Sequence, residues 1–186
     1  MTSLKPEKGI LLVAEPSIIG DVSFNRSIIL LAEINDNGSV GFILNKQLEY
    51  TLNDLLPELD CSIQVYNGGP VEQDNLYFIH KVPDLIPGSI EISNGIYWGG
   101  DFDIVKRLLQ NNKLNENQIR FFLGYTGWAF EQLEEELELK SWVIIPNTYK
   151  NNIIGMSYDN FWKEKMIELG GDYALFSNAP ENPNYN

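Results

Sequence analysis

Apolar residues fall along this chain in two different patterns. Unbroken runs come first: Gly9-Ile-Leu-Leu-Val-Ala14, and Ser27 to Ile34 (Ser-Ile-Ile-Leu-Leu-Ala-Glu-Ile). Runs of this kind predict strands buried on both faces, and Pro16, which has no N–H to donate, ends the first. Val40-Gly-Phe-Ile-Leu44 returns after Asn35-Asp-Asn-Gly38, residues that tolerate positive φ, so residues 27–45 predict a hairpin. Alternation takes over later. Ser62-Ile-Gln-Val-Tyr66 reads as a strand, and Ser89-Ile-Glu-Ile-Ser93 turns at Asn94-Gly95 into Ile96-Tyr-Trp98 as a second hairpin. Residues 75–81, 119–124 and 141–145 complete the predicted strands.

Helical spacing is rarer. Thr51 with Asp54 three residues on predicts a capping box for a short helix over 52–56. Asp101 or Asp103 caps a helix whose apolar positions are Phe102, Val105, Leu108 and Leu109. Residues 161–169 predict a helix ended by Gly170-Gly171. Between these lies Phe121 to Glu136, which predicts an apolar strand, a turn at Gly124 and Gly127, and an acidic helix. At about 100° per residue, Ala129, Phe130, Leu133 and Leu137 share the core face, and Trp128, Gln132, Glu135 and Glu136 lie on a flank. Interleaved strands, two hairpins and several helices predict an α/β (α+β) protein with a mixed sheet. One domain is expected over residues 1–177, with residues 178–186, which hold four asparagines and two prolines, as a disordered tail.

Charge narrows the choice of partner. Asp and Glu number 26 against 13 Lys and Arg, a net −13, which opposes direct nucleic-acid or anionic-membrane binding. No segment reaches the length of a membrane span, so a cytoplasmic protein is expected. Cys61 is the lone cysteine and His80 the lone histidine; neither a disulfide framework nor a Cys/His metal site is available, and no cofactor is indicated. Cys61 is expected to be a small buried apolar side chain.

Gly124-Tyr-Thr-Gly-Trp128 approaches the Gly-x-Ser-x-Gly elbow but has Trp128 in place of the second glycine, so Thr126 is a poor nucleophile. The glycines serve either a tight turn or an anion site at the helix start. Trp128 and Gln132 are either the rim of a groove or a packed indole beside a capping amide. Asn67-Gly68-Gly69-Pro70 lacks both phosphate-loop and dinucleotide spacing and reads as a turn. His80 is a general base or a satisfied structural histidine. Arg26 is suited to bidentate anion recognition or to a salt bridge with Asp21 or Glu33. Because Asn35–Gly38 is the turn, Ser27 and Asn45 meet at the open end of the hairpin. The candidate groove is therefore Arg26, Ser27, Asn45, Gly68, Gly69, His80, Tyr125, Thr126, Trp128 and Gln132.

Five segments in order resemble the YqgE/AlgH family of small bacterial proteins: Lys8-Gly-Ile-Leu-Leu-Val-Ala14, Phe24-Asn-Arg-Ser27, Gly41-Phe-Ile-Leu-Asn45, Asn67-Gly-Gly-Pro-Val71 with His80, and Gly124-Tyr-Thr-Gly-Trp128 with Gln132-Leu-Glu134. The resemblance spans about residues 8–146. It implies a mixed, partly barrel-like sheet flanked by helices, and a transcriptional-regulator label tied to a proposed role in alginate production. Ile34, Gln47 and Glu131 stand where the family often has His, Pro and Gly; the missing His weakens any paired-histidine metal site. The expected function is a non-catalytic binding or regulatory protein with a small-molecule or protein partner. The alternatives are a hydrolase using His80 as base and a transcriptional regulator.

Overall fold

The computed structural model describes residues 4–18 and 21–180. Ten strands form one sheet: β1 (Leu11–Ala14), β2 (Ile28–Asn35), β3 (Gly38–Ile43), β4 (Gln47–Thr51), β5 (Gln64–Asn67), β6 (Val71–His80), β7 (Ile90–Ser93), β8 (Ile96–Trp98), β9 (Ile119–Ala129) and β10 (Trp142–Ile145). Among the described residues five α-helices accompany them: α1 (Leu52–Leu55), α2 (Phe102–Gln110), α3 (Gln132–Glu138), α4 (Phe161–Leu169) and α5 (Gly171–Phe176). The main path runs β10-β1-β2-β3-β9-β6-β8-β7, with β4 and β5 branching from it. It does not close into a barrel. Every pairing is antiparallel except β5 with β9.

The unbroken apolar runs have a simple cause. Along β1 and β2, Leu11, Val13, Ile28, Leu30 and Ala32 enter one core cluster, while Leu12, Ala14, Ile29 and Leu31 enter another on the opposite face. Both faces are covered, so neither can be polar. The first face is covered by the C-terminal region, where Ile153, Ile154, Tyr158, Phe161, Trp162 and Met166 are buried. Trp162 donates its indole N–H to the Ala14 carbonyl at 2.9 Å. The second is covered by Leu133 of α3 with Trp128 and Trp142. A third cluster packs α1 and α2 against β5, β6 and the start of β9.

Both hairpins form where expected, with Asn35 opposite Gly38 and Ser93 opposite Ile96. The Thr51 N–H donates to Asp54 Oδ2 at 2.7 Å, the predicted capping interaction, and Asp101 caps α2 by accepting from the Ile104 N–H at 3.1 Å. β4, whose side chains are mostly exposed, is not among the strands predicted from the sequence; pairing with β5 makes it one. Two expectations are corrected. Cys61 is half-buried, at the edge of the third cluster. The strand beginning at 119 does not stop at Gly124 but continues to Ala129. The expected tail is described only to residue 180; residues 181–186 lie outside the described residues.

β9 is the strand around which the sheet is arranged. One edge pairs with β6 along its first half. The other pairs first with β5, from Val65–Phe121 to Asn67–Leu123, and then with β3, from Gly41–Thr126 to Gly38–Ala129. Consecutive strands β5 and β6 thus straddle β9, joined only by Gly68-Gly69-Pro70.

Candidate functional site

That three-residue link explains the two glycine motifs together. To pass from one edge of β9 to the other, the chain must cross its backbone. A Cβ on Gly68 would sit 2.2 Å from the Gly124 carbonyl oxygen, and one on Gly69 would sit 2.3 Å from the Tyr125 carbonyl. Gly124 adopts φ +72°, and its own Cβ would lie 2.5 Å from the Gly69 oxygen. Only residues without side chains permit this approach. The Gly68 N–H donates to the Leu123 carbonyl at 2.9 Å, and Thr126, buried, donates its hydroxyl to the Gly68 carbonyl at 3.2 Å. Gly124 and Gly127 therefore do not turn the chain into a helix.

The predicted helical face holds at Leu133 and Leu137, which pack into the core, and fails at Ala129 and Phe130 for the same reason. Because the strand extends to Ala129, alternation replaces helical periodicity through Trp128. Ala129 and Phe130 are exposed while Trp128 is buried. The helix begins only at Gln132, after Glu131 in a left-handed conformation (φ 64°). Gln132 Oε1 accepts from the Ala129 N–H at 2.9 Å, so it caps backbone. The indoles of Trp128 and Trp142 both donate to Glu136 Oε2, at 2.9 and 2.8 Å, and Gln132 Nε2 donates to Glu136 Oε1 at 3.0 Å. One carboxylate thus ties β9, β10 and α3 together. The two indoles meet edge to face at 6.1 Å, and Phe24 packs edge-on against Trp142 at 5.6 Å.

Arg26, Ser27 and Asn45 do come together. Asn45 Oδ1 accepts from the Ile28 N–H and its Nδ2 donates to the Arg26 carbonyl, both at 2.8 Å; Ser27 donates to the Phe24 carbonyl at 2.7 Å. Arg26 has φ 55°, lies 5.1 Å over the Trp162 ring and donates to the Ala179 carbonyl. It lines a narrow cleft with Pro16, Asn25, Trp162, Phe176 and Ala179.

His80 is fully buried. Nδ1 accepts from the Val82 N–H at 3.3 Å, which leaves Nε2 as the donor to the Gly99 carbonyl at 3.2 Å. The ring stacks on Tyr97 at 5.9 Å. Burial pushes its pKa below the ordinary 6.5, the Gly99 hydrogen bond opposing it only in part.

Tyr125 stacks edge-on against Tyr77 at 5.5 Å and lines a different cleft, of about 380 Å³, with Trp128, Gly127, Val71 and the turn residues Asn35, Asn37, Gly38 and Ser39, with Glu33 at its side. Arg26 and Tyr125 therefore open onto separate clefts, and His80 is buried away from solvent. A third cleft, of about 690 Å³, lies between Glu15, Lys140 and the α4–α5 junction. There Tyr173 donates to Glu15, a bond that pushes the phenol up to about 12. Among the described residues, no group of three or more His, Cys, Asp or Glu is placed to hold a metal ion, and no helix is long and apolar enough to cross a membrane.

Arg120, which sequence reasoning missed, is a buried charged residue. It is the second residue of β9, is 6% exposed, and its Cζ lies 4.2 Å from the rings of both Tyr66 and Tyr158. The signal was present: a lone arginine between Ile119 and Phe121, within a run otherwise apolar on both faces.

Comparison with known proteins places this geometry. The AlgH-like family model matches residues 11–174, so the likeness runs past the five motifs into the C-terminal region that covers the core. A UPF0301 protein of Cytophaga hutchinsonii is 41% identical over 181 residues, covering 96% of this chain and 98% of the relative. One from Bacteroides thetaiotaomicron is 40% identical over 186 residues, covering 97% and 92%. The solution structure of the AlgH protein from Pseudomonas aeruginosa matches with a TM-score of 0.70 at 23% identity, covering 97% of this chain and 98% of that one. A crystal structure of a Corynebacterium diphtheriae protein matches with a TM-score of 0.76 at 21% identity, covering 96% and 95%; at these identities both likenesses speak to fold alone. With the family model spanning most of its length and full-length relatives at this level of identity, the chain belongs to the AlgH-like family.

Proposed function

We propose that this is a cytoplasmic, non-catalytic binding or regulatory protein whose partner, a small molecule or a peptide segment, occupies the cleft beside Tyr125. The observation that carries this reading is the cleft itself. It is about 380 Å³, within the range of small-ligand sites, and it joins an aromatic side chain to the backbone of a tight turn. Tyr125 and Trp128 belong to the candidate groove, and Glu33, Asn35 and Asn37 bring acceptors and donors for orientation. Hydrolysis with His80 as base is the weaker reading, because both ring nitrogens are engaged by backbone groups and the ring is buried. Regulation, the role carried by the family label, would run through the occupant of this cleft and not through DNA, since a net charge of −13 repels phosphate backbones.

The test is a thermal-shift screen of the full chain against metabolite, nucleotide and peptide panels, repeated with Tyr125→Ala. Ligand that binds the folded state raises Tm by mass action. A saturable shift that Tyr125→Ala abolishes, measured against its own ligand-free Tm, supports the cleft. No shift from any panel removes the small-ligand reading, and a shift that Tyr125→Ala leaves intact moves the site elsewhere.

A further inference from the structure

Strand register puts a carboxylate and an aromatic ring on one face of the sheet. Glu33 of β2 stands opposite Val40 of β3, and Val40 stands opposite Gly127 of β9. Directly paired residues share a face, as do residues two apart along a strand. Tyr125 therefore lies on the same face as Gly127, Val40 and Glu33, and so does Val71, its partner on β6. The alternate residues Thr126 and Trp128 face the other way and are buried, whereas Gly127 and Ala129 are exposed. This corner of the sheet is open to solvent.

Gly127 carries no side chain, and the Tyr125 ring leans across it: a Cβ there would sit 3.3 Å from Tyr125 Cε2 and 3.8 Å from Val71 Cγ2. Glu33 lies two strands away, roughly 10 Å between Cα atoms at the usual strand spacing, with Val40 as the floor between. Both residues line the cleft of about 380 Å³. The ring is held by Tyr77, edge-on at 5.5 Å. The carboxylate is held by Asn35, whose Nδ2 donates to Glu33 Oε1 at 2.7 Å. No ion pair among the described residues involves Glu33, and of the described residues that line the cleft Glu33 alone carries charge. A half-buried carboxylate attracts a cation more strongly than one in bulk water, and a tyrosine ring adds cation–π attraction within about 6 Å. An anion would meet repulsion from Glu33, and the net charge of −13 draws cations towards the surface.

We propose that the Tyr125 cleft selects an organic cation, an ammonium or guanidinium group held between the Glu33 carboxylate and the Tyr125 ring. This rests on the reading of the cleft as a ligand site and names the chemistry of its occupant. A free amine and a basic side chain of a peptide offer the same group.

The test titrates the full-length protein with n-butylamine and n-butylguanidine, with butanol and butyrate as neutral and anionic probes of similar length, at constant ionic strength. The peptides acetyl-Gly-Lys-Gly-amide and acetyl-Gly-Arg-Gly-amide form the other arm, and the tighter arm identifies the source. The Gly127 amide and the Tyr125 ring resonances are followed by NMR. The expected result is a saturable shift with the ammonium or guanidinium probes that butanol and butyrate do not reproduce. Glu33→Gln, which keeps an oxygen for Asn35, weakens it by about tenfold, because a charge-assisted contact is lost. Tyr125→Leu, read at the Gly127 amide, weakens it about two- to fivefold. Should either variant fail to fold, the contrast between butylamine and butyrate on the wild type still decides. Butanol or butyrate binding as tightly as butylamine keeps the cleft as a ligand site and overturns the cation. A curve that Glu33→Gln leaves unchanged, or no movement with any probe, overturns it as well, whatever the thermal-shift screen finds for the cleft.

Discussion

Replacing Glu136 tests how the sheet, β10 and α3 are joined. Its Oε2 accepts from two indoles that are each 5% exposed, and its Oε1 from Gln132. Glu136→Ala strands both indole donors. Each unsatisfied buried donor costs about 1–3 kcal/mol; because Glu136 is only half-buried, water relieves part of this, and a loss of about 3 kcal/mol is expected. In a domain of this size that lowers Tm by roughly 6–12 °C. Glu136→Gln keeps the shape and one oxygen able to face both indoles, but as a neutral acceptor, and it sets its NH₂ against that of Gln132. A loss of about 1–2 kcal/mol follows. The assay is urea unfolding by far-UV circular dichroism, which the altered tryptophan environments do not confound. Adding Trp142→Phe to Glu136→Ala removes a donor already stranded, so the pair should cost about 1 kcal/mol less than the sum of the single changes. Additive effects, or Glu136→Ala within about 0.5 kcal/mol of wild type, would refute the clamp.

Two further outcomes follow from the same geometry. Gly124→Ala places a methyl group 2.5 Å from the Gly69 oxygen and forces φ +72° on alanine, so unfolding should cost about 3–5 kcal/mol less than in wild type; Gly127→Ala, whose nearest neighbour is the Tyr125 ring at 3.3 Å, should cost under about 1 kcal/mol, and an equal effect at the two positions would contradict the backbone crossing. Burial holds the folded pKa of His80 below 6.5, so the unfolded chain takes up the proton first as pH falls. The stability that neutral His80 contributes is thus complete above about pH 6.5 and shrinks as pH drops below it. The difference in unfolding free energy between wild type and His80→Asn should narrow from about pH 7 to 5.5, and a difference constant over that range would contradict a neutral buried ring.

Much of this was legible along the chain because it depends on neighbours in sequence. The apolar runs of β1 and β2, the Asn35–Gly38 and Asn94–Gly95 turns and the Thr51 capping box rest on local backbone preference and on side-chain alternation. The meeting of Ser27 and Asn45 followed from hairpin register alone. What tertiary structure decided is the meaning of the glycines. In isolation, Gly124 and Gly127 read as a turn between strand and helix, and Gly68-Gly69 as a loop. At Gly68, Gly69 and Gly124 a side chain is excluded by a backbone distant in sequence, because β5 and β6 straddle β9 and must cross it. The same long-range contact carries β9 through Trp128, sends that indole into the core, and moves the helix start to Gln132. Arg120 belongs to this second kind too: its two tyrosines and two carbonyls come from residues 66, 154, 156 and 158, and only the fold brings them to one guanidinium. Local preference determined which segments are strands and turns; burial by remote segments determined which of their residues are free to meet a ligand.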